Sequence, residues 1–62
     1  MLNQYSDILS VPDVAEALSI GKNRVYELLE NNTIKGFRIG RVWKIPKAAV
    51  QEYIIEQSNL HS

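Results

Sequence analysis

Apolar positions along this chain change their spacing twice, and the changes divide it into elements. Residues 1–7 show no periodicity and read as a flexible N-terminal arm. The run "SVPDVAEAL" then announces a helix from Val11 to Leu18. Ser10 is a good N-cap, Asp13 places an acid in the first turn, and Pro12 falls where a missing N–H costs little. Val14, Ala15 and Leu18 share one face of that helix. After "SIG", the run "KNRVYELLE" has Val25, Leu28 and Leu29 on a common face and predicts a second helix. Gly21 is its N-cap, and "NNT" at 31–33 closes it, because Asn tolerates the left-handed conformation found at helix ends.

Beyond Thr33 the period shortens to two. Phe37 and Ile39 alternate with Arg38, and Trp43 and Ile45 alternate with Lys44, which is a hairpin pattern. If all four apolar residues face the core, Ile39 opposes Trp43. The loop is then the three residues Gly40-Arg41-Val42, and Arg38 and Lys44 share the outward face. Pro46 ends the strand pattern. A third amphipathic helix follows from about Lys47 to Gln57, with Val50, Tyr53 and Ile54 inward. Residues 58–62, including His61, are expected to fray.

Two short helices joined by Ser19-Ile20-Gly21 form a helix-turn-helix candidate. Ala15 supplies the small residue that a close helix crossing needs, and Ile20 is placed to plug the space between the helices. Many such turns open with Gly, where this chain has Ser19. With the hairpin and third helix added, the expected fold is mostly α with a small β-hairpin: a winged helix-turn-helix over residues 8–57.

At 62 residues the chain has room for one core and no more. It has no Cys and a single His, so disulfides are excluded and no metal or other cofactor is expected. No apolar run approaches the roughly 20 residues of a membrane span. No secretory leader is evident, and the expected location is cytoplasmic. Catalytic constellations are missing too: there is no Ser/His/Asp set, no Cys nucleophile and no phosphate-cradling Gly loop, so no enzymatic role is expected.

Charge changes the picture most. Seven basic and seven acidic residues cancel over the whole chain. All seven basic ones, however, lie between Lys22 and Lys47, opposed there only by Glu27 and Glu30, so that window carries +5. Such segregation suggests one basic face and an acidic or neutral remainder. On the second helix, at about 100° per residue, Asn23 and Glu27 point away from the core direction near Val25, with Arg24 and Tyr26 on the flanks. N-terminal residues of a recognition helix are those that reach base edges. Asn23, Arg24 and Tyr26 are therefore the groove candidates, since Asn bonds adenine and Arg bonds guanine in bidentate fashion. Lys22 and the free N–H groups near Gly21 suit a phosphate. Glu27 either accepts from a cytosine amino group or pairs with Arg24 or Lys22. In the hairpin, Arg38 and Lys44 can reach the backbone, while Arg41, beside Gly40, can enter a minor groove. Lys35 and Lys47 are weaker phosphate candidates.

The ordered set Leu9-Ser10, Ala15, Val25-Tyr26, Arg38-Ile39-Gly40-Arg41, Trp43 and Lys44-Ile45-Pro46 resembles the excisionase-type DNA-binding domain, related to that of MerR-type regulators. The resemblance runs from Leu9 to Ile54. It implies double-stranded DNA as ligand and a role as an accessory factor. Such a factor bends DNA near the ends of a mobile element and assists a separate integrase. One small module reads few base pairs, so adjacent copies associating on DNA are also expected. A small transcription regulator and a protein-interaction module that binds no DNA are the competing readings.

Overall fold

The computed structural model describes residues 2–59. Six elements follow one another: β1 (Ile8–Leu9), α1 (Val11–Leu18), α2 (Lys22–Glu30), β2 (Phe37–Ile39), β3 (Val42–Pro46) and α3 (Lys47–Asn59). This is the expected winged helix-turn-helix order, mostly α with a hairpin, to which β1 adds a third strand. The sheet is antiparallel in the order β1-β3-β2. Among the described residues no helix is long and apolar enough to cross a membrane. His61 and residues 60–62 lie outside the described part.

Helix α1 starts where its polar residues dictate. Ser10 Oγ accepts from the Asp13 N–H at 3.4 Å, and Asp13 Oδ2 accepts from the Ser10 N–H at 3.1 Å, a reciprocal capping box. The helix ends at Ser19, in the left-handed conformation at φ 57°, and the Ile20 N–H donates to Ala15 O at 3.0 Å. That bond turns the chain toward α2 and sends Ile20 inward, where it packs half-buried against the core. Helix α2 ends by the same device. Asn32 is left-handed at φ 62°, and the Thr33 N–H donates to Leu28 O at 2.9 Å. An L-residue other than Gly pays for this conformation at both places.

The core is contiguous: Leu9, Val11, Val14, Ala15, Val25, Leu28, Leu29, Ile34, Ile45 and Val50 are all buried. Leu18, Trp43, Tyr53 and Ile54 pack around it. Residues 2–7 are joined to this body at several points. Leu2 and Tyr5 pack against the core, and the Tyr5 hydroxyl donates to Glu16 Oε1 at 2.6 Å, which raises the tyrosine's pKa. The Lys47 N–H donates to Asp7 O at 2.8 Å. Gly36 lets the chain pass close between α2 and β3. A Cβ there would lie 2.9 Å from Leu29 Cδ2 and 3.2 Å from Lys44 O.

The hairpin differs from the expected one. Ile39 pairs with Val42, Arg38 with Trp43 and Phe37 with Lys44, so the loop is the two-residue turn Gly40-Arg41, not Gly40-Arg41-Val42. Gly40 has φ +63° and Arg41 is not in the positive region, as in a type II′ turn with Gly leading. Directly paired residues share a sheet face. Trp43 and Ile45 therefore face the core with Arg38 beside them, whereas Phe37 and Ile39 lie on the opposite face with Val42 and Lys44. Arg38 and Lys44 do not share a face. The expectation failed because it assigned every apolar residue of the hairpin to the core. The turn preferred by a right-twisted hairpin prevailed instead, and it left three apolar side chains outside.

Two substitutions test this account of the backbone. Ser19→Gly should stabilise the protein by about 1 kcal/mol by relieving the left-handed penalty. That amounts to a rise of roughly 4–8 °C in thermal midpoint for a domain this small. Gly36→Ala should destabilise it by about 1–3 kcal/mol through overpacking against Leu29 and β3. Thermal and urea melts followed by far-UV circular dichroism check both; an unchanged midpoint for Gly36→Ala would contradict the close approach.

Candidate nucleic-acid interface

Helix α2 buries Val25, Leu28 and Leu29 and turns everything else outward. Lys22, Asn23, Arg24, Tyr26 and Glu27 are all exposed. Gly21, extended at φ −74° and ψ 156°, caps the helix without a side chain. The Lys22 and Asn23 N–H groups therefore stand open at the helix start, while the Arg24 N–H donates to Gly21 O at 3.1 Å, and the helix dipole adds partial positive charge there. Arg24 Nη1 lies 2.9 Å from Glu27 Oε1, both side chains well exposed. Of the alternatives open for Glu27, the free protein adopts the pairing with Arg24. An exposed pair of this kind contributes little stability, so either member can exchange it for a better partner.

The wing is held against the helical body by Trp43. Its ring is half-buried against the core, and Arg38 Cζ sits 5.4 Å from the ring centroid in a cation–π arrangement. The ring thus supports the guanidinium from below. A shallow cleft of about 180 Å³ opens between the N-terminus of α1, the middle of α2 and the wing turn; Ser10, Val11, Pro12, Tyr26, Arg41, Val42 and Trp43 line it. This cleft brings Tyr26, on the recognition helix, and Arg41, at the wing tip, to a common opening. Sequence spacing alone gave no reason to join them, because they are fifteen positions apart in the chain.

The remaining basic candidates are placed differently. Lys44 is half-buried on the outer face of the sheet, opposite Arg38. Lys35 is exposed just before β2. Lys47 stands at the far end of β3 from the turn, on the order of 20 Å from Arg41 at strand rise, and its Nζ lies 3.9 Å from Asp7 Oδ1. Of the candidates the structure brings Tyr26 and Arg41 to one opening; Lys22, Asn23 and Arg24 are exposed on α2, Arg38 and Gly40 are exposed on the wing, and Lys44 and Lys47 are half-buried. Sequence reasoning passed over Ser10 and Val11 as site-lining residues. The signal was the capped start of α1, read only as a helix boundary.

A family model described as a helix-turn-helix domain matches residues 8–58. A probable excisionase of Saccharopolyspora erythraea is 35% identical over 46 residues, covering 74% of this chain and 47% of that protein. An excisionase of Streptomyces ambofaciens is 29% identical over 51 residues, covering 82% of each chain. The chain thus spans about half the length of the first of these relatives and most of the second. No solved structure gives a significant match. The chain belongs to the helix-turn-helix domain family, a DNA-binding and non-enzymatic class, and its similarity within that class is to excisionases.

Proposed function

We propose that this protein is an excisionase-like directionality factor. It binds specific duplex DNA near the ends of a mobile element, bends it, and assists an integrase that performs the bond chemistry. The observation that carries the reading is the shared opening of Tyr26 and Arg41 between α2 and the wing tip. In this reading helix and wing act together, α2 engaging a major groove and the wing the backbone or minor groove beside it. The excisionases among its relatives support the role in recombination.

The division of labour follows from side-chain chemistry. Asn23 and Arg24 at the start of α2 read base edges, Arg24 leaving Glu27 for a guanine when one is present. Tyr26 lies beside them and packs on a sugar or a base edge. Lys22 and the open N–H groups after Gly21 hold a phosphate. Arg38 and Arg41 neutralise the backbone alongside, and Gly40 lets the turn approach closely. Two contact points on neighbouring grooves also give the protein leverage on the duplex. The deformation that brings both into register is the bend. Lys35 flanks this surface. Lys44 and Lys47 are left outside it.

Three measurements test the reading. With four or five phosphates neutralised, log affinity should fall with log salt at a slope of roughly −4; a flat response, with no DNA retained at low salt, overturns DNA binding. Arg41→Ala should weaken binding to all sequences alike and make the slope less negative by about 1. Asn23→Ala should cost about 1–3 kcal/mol on the preferred site and relax preference at one or two positions, read by competition against single-base variants. Identical behaviour of the two variants would refute the assignment of base reading to α2 and backbone contact to the wing.

A further inference from the structure

The two-residue turn has a consequence on the side of the sheet away from the core. By register, Phe37, Ile39, Val42, Lys44, Pro46 and Ile8 all project from that face. Four of them are large apolar residues left in water: Ile39 61% exposed, Val42 52%, Phe37 49% and Ile8 43%. Single exposed apolar residues need no explanation, but a contiguous row on one face does. The row is basic in character, with Lys44 at its middle and Lys35 leading into it. Of this row Val42 borders the cleft that joins the wing to α2; Phe37, Ile39, Lys44 and Ile8 do not line it. Arg41, at the tip, lines the cleft with Val42 and Trp43, whereas Arg38 lies on the opposite face of the sheet against the Trp43 ring.

A stripe of complementary character lies on α3. The helix buries Val50 and packs Ala49, Tyr53 and Ile54 against the core. At about 100° per residue, Ala48, Glu52 and Ile55 fall on the opposite side, with Glu56 flanking them. All four are exposed, and Ile55 is 50% so. The stripe is apolar at its centre and acidic around it. It is the complement of the sheet face in both respects: isoleucine for an apolar row, Glu52 and Glu56 for Lys35 and Lys44.

We propose that the outer face of the sheet docks the Glu52–Ile55–Glu56 stripe of α3 from a second copy of this chain, joining neighbouring copies head to tail on DNA. This rests on the DNA-binding reading and names the surface through which adjacent copies associate. The two patches are different parts of one molecule, so the contact is heterologous and does not close on a pair. Its size sets its strength. The exposed row offers on the order of 300 Å², well below the roughly 800 Å² per partner of a stable complex. The contact is therefore weak in free solution. It acts when DNA holds two copies side by side and raises their effective concentration.

The chain has no cysteine, which makes directed disulfide trapping clean. Phe37→Cys and Ile55→Cys are prepared separately, and melting curves establish that each folds. Each is incubated alone and as an equimolar mixture, on DNA carrying one site or two adjacent sites, under mild oxidation. The proposal requires a cross-linked pair in the mixture on two-site DNA, and far less with either variant alone. Efficient cross-linking of Phe37→Cys by itself would mean a symmetric sheet-to-sheet contact and overturn it, as would no cross-link in any lane.

Binding isotherms form the second arm. The wild-type chain should bind the second site roughly ten- to hundredfold more tightly than an isolated one. Ile55→Lys should abolish that gain while leaving single-site affinity unchanged. Phe37→Ser should do the same; if it instead lowers single-site affinity, the outer face touches DNA and the proposal fails. Loss of single-site binding by the wild-type protein would strike the DNA reading itself, a result distinct from failure of cooperativity.

Discussion

The pairing of Ile39 with Val42 across the Gly40-Arg41 turn is the constraint on which the functional surfaces depend. Side chains alternate strictly along a strand, so this one pairing decides the orientation of every residue from Phe37 to Pro46. It sends Trp43 and Ile45 inward, lays Arg38 beside the Trp43 ring, and swings Arg41 to the cleft shared with Tyr26. A loop one residue longer would place Phe37 and Ile39 in the core and turn Arg38 away from it. The same pairing creates the apolar outer face. Wing tip and outer face are therefore consequences of a single turn, and neither can be altered in register without the other.

The helical half is fixed by a different kind of interaction, the satisfaction of backbone groups at helix ends. The Ser10–Asp13 box starts α1, and left-handed Ser19 and Asn32 stop α1 and α2 with the same bond pattern. These local devices set the angle at which α2 leaves the turn. Hydrophobic packing then holds it, through Ile20 above and Val25, Leu28 and Ile34 below. A domain of this size buries only about 60% of its chain's surface, so it has few contacts to spare. Using caps and turns to direct the elements leaves the outer side of α2 free of structural duty.

This distribution explains what could be read from the sequence. Helices α1 and α2 were legible to the residue, because their signals are local: a cap, a 3.6-residue period, a breaker. Helix α3 was legible in place and in its buried face. Strand β1 was not, since two residues carry no period and Ile8-Leu9 is a strand only by virtue of its partner Pro46-Ile45. Ile34, fully buried, sits alone in a connecting segment with no pattern to announce it. The hairpin was legible as a hairpin but not in its register. Period two says that side chains alternate; it does not say which set faces in when both sets contain apolar residues. Of the site, the residues on α2 could be chosen from the helix alone. The meeting of Tyr26 with Arg41 depends on the wing's placement and on α1, a three-body arrangement that no single segment encodes.

That ambiguity bears on the outer face. A strand edge exposing Phe37, Ile39 and Val42 is an aggregation hazard, which proteins usually blunt with charge. Here the blunting is partial: Lys44 lies within the row and Arg38 and Arg41 at its margin, yet the apolar residues stay. A solvated face would be served as well by Thr or Lys at these positions, with equal strand propensity for Thr. Keeping them apolar brings a risk that only a use would offset. The row is too small to drive association by itself, and the surrounding positive charge repels a like surface on another copy. A partner must therefore be acidic around an apolar centre, which is the character of the exposed stripe on α3. In the proposed contact Glu52 and Glu56 of one copy face the basic wing of its neighbour, which leaves the basic charge on α2 and the wing tip for DNA.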